Sequence, residues 1–175
     1  LKTFFAYLST QDTLRIGHYQ RITAIQSKRG SKSLMEYLEV NEVKAILNTI
    51  DQQKLSGERD YVMLNLFYNT GARVQEICDL QVDSIRLGAP SLVSITGKGR
   101  KTRQVPLWPE TVKLLEGYLA QRGLLNNPHA KLFLNSRGEP LGRFGIRHII
   151  QKRVADAVKI CPSLAKKKIN PHTFR

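Results

Sequence analysis

Acidic residues are scarce in this sequence. Against 28 Lys and Arg stand only 14 Asp and Glu, a net charge of +14 and a pI near 10.1. That imbalance points to a polyanionic partner, with nucleic acid the first candidate. The few acids do not gather as a magnesium site would require. Glu76, Asp79 and Asp83 are close in sequence but are spread around a helix and a strand, which argues against a metal-dependent nuclease. Cysteine is almost absent: Cys78 and Cys161 lie far apart, in no CxxC or Cys–His zinc spacing, and two cysteines build no disulfide framework. Cys78 has apolar helical neighbours and reads as a core thiol, so a reducing, cytoplasmic compartment is expected. No apolar run approaches the ~20 residues that span a bilayer. Nor is a polybasic segment joined to an amphipathic anchor, so no membrane partner is expected. No signal peptide is visible, and a chain opening on Leu1 is expected to be a piece of something longer at its N-terminal end.

What is present is a core of ordinary size, with 41% apolar residues. The pattern implies a mainly α chain with a small antiparallel β-sheet, an α+β fold. Residues 1–26 read as two short helices, and a basic, glycine-containing linker runs from Gln26 to Ser33. The expected division is therefore 1–34 and 35–175. Asn41 is a plausible N-cap for a helix burying Val43, Ile46, Leu47 and Ile50. Residues 59–70 are apolar on most sides, as in a central core helix, and Gly71 is its natural stop. Val82–Ile85, Leu92–Ile95 and Arg103–Leu107 alternate as strands, and Pro106 confines the last to an edge or an end. Pro109 opens a helix that Gly123 closes. A basic helix is expected from Arg143 to Val158, with Ile146, Ile150, Val154 and Ala157 inward.

Four cations or proton carriers stand at element ends. Arg73 falls in the first turn after Gly71, where free backbone N–H groups favour an anion and a guanidinium fork matches two phosphate oxygens. Lys98 lies in the basic turn Gly97–Thr102. Asn170 reads as an N-cap and Pro171 as the first helical residue, which puts His172 and Arg175 three apart on one face. Converging on one phosphate, the four would form an electrostatic clamp for phosphoryl transfer without a metal. Further cations suited to a phosphate backbone are Lys28 and Arg29 in the linker, Arg100, Lys101 and Arg103 in the hairpin, and Arg143 and Arg147 on the basic helix. Gly97-Lys98-Gly99 is no P-loop, because it lacks the GxxxxGK[ST] spacing.

The segments Thr70-Gly71-Ala72-Arg73-Val74-Gln75-Glu76-Ile77, Gly97 to Leu107 and His172-Thr173-Phe174-Arg175 resemble successive motifs of the tyrosine recombinases, the phage-integrase-like DNA strand-transfer enzymes. The resemblance covers about residues 36–175, and 1–26 look like the end of that family's helical core-binding domain. It implies double-stranded DNA as partner, a tetramer on DNA, no cofactor, and a prokaryotic nucleoid-associated or mobile-element setting. Arg73 and Arg175 would hold the scissile phosphate, and Lys98 would protonate the departing 5′ oxygen. His172 would act as base or phosphate hydrogen-bonder, and Glu76 would orient groups around Arg73. The family's nucleophilic tyrosine lies well downstream of the HxxR motif, so residues 1–175 are expected to be inactive alone. Two other readings compete: a DNA-binding module without catalysis, and chemistry of the type IB topoisomerase kind.

Overall fold

The computed structural model describes residues 1–26, 37–171, 173 and 174. The chain divides into two compact units, Leu1–Leu34 and Met35–Arg175. The first holds α1 (Lys2–Gln11) and α2 (Ile16–Ala24), joined by a 3₁₀ turn at Thr13–Arg15. Tyr19 is its only buried residue among those described. The Tyr19 hydroxyl donates to Asp12 Oδ2 at 3.0 Å, and its ring lies 6.1 Å from that of Phe5.

The second unit opens with α3 (Val40–Asn48), α4 (Leu55–Thr70) and the short α5 (Val74–Asp79). Asn41 is not the N-cap of α3. The cap is Glu39, two residues earlier, and its N–H donates to Glu42 Oε2 at 2.9 Å. A glutamate at the third helical position reaching back to the cap satisfies a backbone donor that has no helical partner. α4 is the core helix, with Met63, Leu64, Leu66 and Phe67 fully buried. Gly71 ends it in the left-handed region (φ 56°), its N–H donating to Phe67 O at 2.9 Å.

A three-stranded antiparallel sheet follows, ordered β1 (Ile85–Arg86), β2 (Leu92–Thr96), β3 (Thr102–Pro106). Of the strand expected at Val82–Ile85 only Ile85 belongs to β1, because Val82–Ser84 form a 3₁₀ turn. Their amide donors leave the ladder: Val82 N–H goes to Ala130 O at 3.1 Å and Asp83 N–H to Pro128 O at 2.9 Å. β3 is an edge strand and Pro106 is its last residue, so the missing N–H breaks no interior ladder. Val93 and Ile95 face the core, opposite Val105 and Arg103.

α6 (Pro109–Gln121) and α7 (Arg143–Val158) complete the unit. α7 buries Ile146, Ile149, Ile150 and Ala157. Arg153, a basic residue outside the inward face expected of this helix, also points inward and donates to Asp60 Oδ2 at 2.7 Å. Asp60 also accepts from Arg59 Nε and Nη2 at 3.1 and 2.6 Å, while Arg59 Nη1 donates to Leu134 O at 2.9 Å. Phe174 is buried in the same core, and Thr173 closes a turn with Asn170 through Asn170 N–H to Thr173 Oγ1 at 3.1 Å. Both cysteines are free thiols, and burial raises the pKa of Cys78. No helix among the described residues is long and apolar enough to cross a membrane.

Asp60 balances two arginines whose own side chains are 10% and 14% exposed. Asp60→Ala would strand both charges, and the expected loss is about 3–5 kcal/mol of unfolding free energy. Urea unfolding of the variant checks this; a loss under about 1 kcal/mol would show the pair to be dispensable.

A candidate phosphate-binding site around Glu76

Arg73 is the residue before α5, with extended backbone (φ −80°, ψ 155°), one position ahead of the first turn where its sequence put it. Its own N–H is not free for an anion, because it donates to Glu76 Oε2 at 2.7 Å. Glu76 repeats the device of Glu42, a glutamate at the third position of a helix reaching back to its cap. The rest of the carboxylate is taken by two guanidinium groups. Arg73 Nη1 donates to Oε1 at 3.0 Å, and Arg103 donates through Nη1 to Oε1 at 3.0 Å and through Nη2 to Oε2 at 2.7 Å.

Strand parity delivers Arg103. It pairs with the buried Ile95 and is in phase with Val105, so its side chain rises on the inner face of the sheet. Glu76 is 4% exposed, whereas the side chains of Arg73 and Arg103 are 50% and 40% exposed. One edge of each guanidinium is therefore fixed on a buried anion while the other faces solvent. The Arg103 bonds are the largest influence on the Glu76 carboxyl. Against the opposing effect of burial, and with the Arg73 backbone and side-chain bonds, they lower its pKa to about 2. Because the folded pKa lies below the unfolded one, this group stabilises the fold above about pH 5, and the contribution is lost as pH falls toward about 2. It is on the order of 2 kcal/mol once solvent screening at the half-exposed arginines is allowed for.

The hairpin turn begins directly over this group. A Cβ at Gly97 would lie 2.9 Å from Glu76 Oε1 and 3.6 Å from Arg73 Nη1, so glycine is the residue that lets the strand end approach so closely. The turn is closed by Gly97 N–H to Lys101 O at 2.9 Å and Arg100 N–H to Gly97 O at 3.2 Å, and Gly99 is left-handed (φ 77°). Lys98, Arg100 and Lys101 are exposed on it, with Lys98 next to Gly97. On another side of α5, Val74, Arg143, Phe144, Arg147, Asn170 and Pro171 line an open cleft of about 440 Å³.

The structure thus brings Arg73 and Arg103 onto Glu76 and starts the Lys98 turn there. It sets Arg143 and Arg147 around the neighbouring cleft beside Val74. Lys28, Arg29, His172 and Arg175 lie outside the described residues; the buried Pro171, Thr173 and Phe174 flank His172. Glu76, Asp79 and Asp83 do not share a site. Asp79 accepts from Gln75 Nε2 at 2.9 Å, and Asp83 faces His129 Nδ1 at 3.1 Å. Among the described residues no tyrosine hydroxyl hydrogen-bonds to Arg73, Glu76 or Arg103. That of Tyr118 is buried on Leu132 O, and that of Tyr19 is on Asp12.

Residues 36–175 match the profile of the phage integrase family. The tyrosine recombinase XerC of Thermodesulfovibrio yellowstonii is 30% identical over 181 residues, a match that takes in all of this chain and 57% of the relative. Among solved structures, that of the XerA recombinase is similar over 87% of this chain and 51% of the other, at 27% identity and a TM-score of 0.66. The Tn1549 transposon integrase in complex with transposon right end DNA shares the fold, with a TM-score of 0.67 over 99% of this chain and 68% of the other at 16% identity. The chain spans between 50 and 63% of the length of that XerC and three other curated relatives it matches.

Two glycine substitutions should move stability in opposite directions. Gly97→Ala drives a methyl onto a carboxylate held by four hydrogen bonds and should cost about 1–3 kcal/mol. Gly117→Ala, in the interior of α6 with nothing within 4 Å, should gain about 0.5–1 kcal/mol. Thermal unfolding of both variants tests the pair, and a neutral Gly97→Ala would mean the hairpin does not press on Glu76.

Proposed function

The chain belongs to the phage integrase family of tyrosine recombinases, and on that footing we propose that it acts in site-specific DNA strand transfer. A tyrosine oxygen attacks the scissile phosphorus, the bond from phosphorus to the 5′ oxygen breaks, and a 3′-phosphotyrosyl link forms. The 5′ oxygen leaves with a proton from Lys98. Attack by a 5′ hydroxyl on the phosphotyrosine reverses the step and rejoins a strand, so the bond energy is conserved and no ATP is consumed. Arg73 binds the non-bridging oxygens with Arg175, and His172 hydrogen-bonds the phosphate or takes the proton from the nucleophile. The nucleophile in this proposal is a tyrosine outside residues 1–175.

The observation that carries the reading is the half-exposed Arg73 guanidinium, fixed through one nitrogen on a buried carboxylate beside the turn that holds Lys98. A fork anchored in this way is preorganised for phosphate, which lowers the reorganisation needed in the transition state. Double-stranded DNA is the proposed partner. The net charge of +14 supports it, as do Arg100 and Lys101 on the hairpin and Arg143 and Arg147 at the cleft. Assembly as a tetramer on two duplexes belongs to the same proposal.

A DNA-binding module without catalysis is the reading to set against it, since the same charge would serve both. The two separate with the full-length gene product and a nicked duplex that traps a covalent intermediate. The proposal expects a denaturation-resistant adduct on the 3′ phosphate. Arg73→Ala should reduce that adduct about 10²–10³-fold while changing affinity only a few-fold. No adduct from the wild type, with tight binding whose salt slope falls by about one in Arg73→Ala, would establish binding alone.

A further inference from the structure

Arg103 is the least expected member of the site. It lies on an edge strand, 27 residues from Glu76, yet it supplies two of the four hydrogen bonds to that carboxylate, including one of the two shortest. Two guanidinium charges stand against one carboxylate, so the trio carries one net positive charge. Glu76 is ionised at neutral pH and buried, and Arg73 is its other charged neighbour. Without Arg103, the whole carboxylate would face Arg73. The pair would then be neutral, and the Arg73 fork would be drawn toward two acceptor oxygens instead of touching one.

We propose that Arg103 is a positioning residue, holding the Glu76 carboxylate so that Arg73 keeps a net positive charge and a free guanidinium edge for the phosphate. The proposal rests on the reading of Arg73 as a phosphate-binding arginine. It also gives Arg103 a different task from the phosphate-backbone contact its place in a basic hairpin suggests. Its two-pronged grip ties β3 to α5 and, through Gly97, sets where the Lys98 turn begins. Lysine cannot reproduce that fork.

The test uses the full-length gene product in four forms: wild type, Arg103→Met, Arg103→Lys and the double variant Glu76→Gln/Arg103→Met. The probe is a nicked duplex selected by the wild-type protein from a random-sequence pool. Adduct formation at saturating DNA and the Kd are read separately. Arg103→Met should slow adduct formation about tenfold or more with Kd changed less than about threefold. The double variant removes the competing anion while leaving an amide oxygen to accept from Arg73, so it should be faster than Arg103→Met and slower than the wild type, and Arg103→Lys should also fall between the two. A merely structural role would leave the double variant no faster than Arg103→Met, because glutamine does not restore the bridge. If Arg103→Met does not fold, the double variant and Arg103→Lys are compared with the wild type, and the same order of rates is required.

An unchanged rate in Arg103→Met, or a double variant as slow as the single, overturns the proposal. So does a weakened Kd with the salt slope lowered by about one and no change in rate, which would make Arg103 a direct DNA contact. If the wild type traps nothing, the recombinase reading fails, and orthovanadate titration of the same proteins decides the role of Arg103. Weakening of about tenfold in Arg103→Met, partly restored in the double variant, would sustain it. Equal affinities, or no vanadate binding by the wild type, would overturn it.

Discussion

A carboxylate cannot be buried without partners, and among the described residues that constraint acts three times. Glu42, Asp60 and Glu76 are each 4% exposed or less, and each receives a cation from a distant part of the chain. Glu76 on α5 takes Arg103 from β3. Asp60 on α4 takes Arg153 from α7, and Glu42 on α3 takes Lys167 and Ser163 from the segment after α7. Burial pushes the Glu42 pKa up, but the bonds from Lys167, the Glu39 N–H and Ser163 outweigh it and hold the pKa below its ordinary value. Three successive helices thus each fasten a later basic segment. In a chain with half as many acids as bases, several of the acids serve as internal anchors and leave the excess cations outward.

Glu76 differs from the other two in how exposed its partners are. Arg59 and Arg153 lie almost wholly inside, and the Lys167 side chain is 23% exposed, but Arg73 and Arg103 are close to half exposed. The same interaction that stabilises the core elsewhere here presents charge at a surface. That is what binding an anion requires: side chains whose direction is fixed before the ligand arrives, with donors still unspent. The turn carrying Lys98 is fixed from the same point, because Gly97 allows the backbone to rest against the carboxylate that orients Arg73.

Much of this could be read from the residues. Gly71 and Gly123 stop their helices, Pro106 ends an edge strand, and α7 runs from Arg143 to Val158 because each depends on local backbone chemistry. Val82–Ile85 misled because four alternating residues fit a strand, while their amide donors are claimed by the 128–130 loop, which no local pattern shows. Asn41 misled in the opposite way. It is a good cap by type, but Glu42 one residue later caps better by reaching back, and Asn41 Oδ1 accepts the Glu42 N–H instead. The inward direction of Arg153 and Arg103 did not show in the local pattern, because their partners are 93 and 27 residues away. For Arg103 a signal was present: it is in register with the buried Ile95 and in phase with Val105, which turns it inward. Strand parity read across the hairpin would have separated it from Arg100 and Lys101.

The account stands on Glu76 being an ionised, buried anion shared by two arginines. Titration of its side-chain carboxyl by ¹³C NMR in the folded protein measures this directly. The shared-anion arrangement predicts a midpoint near 2. A midpoint near the unperturbed 4.5 would mean that neither arginine holds the carboxylate in solution, and that the site is not built around it.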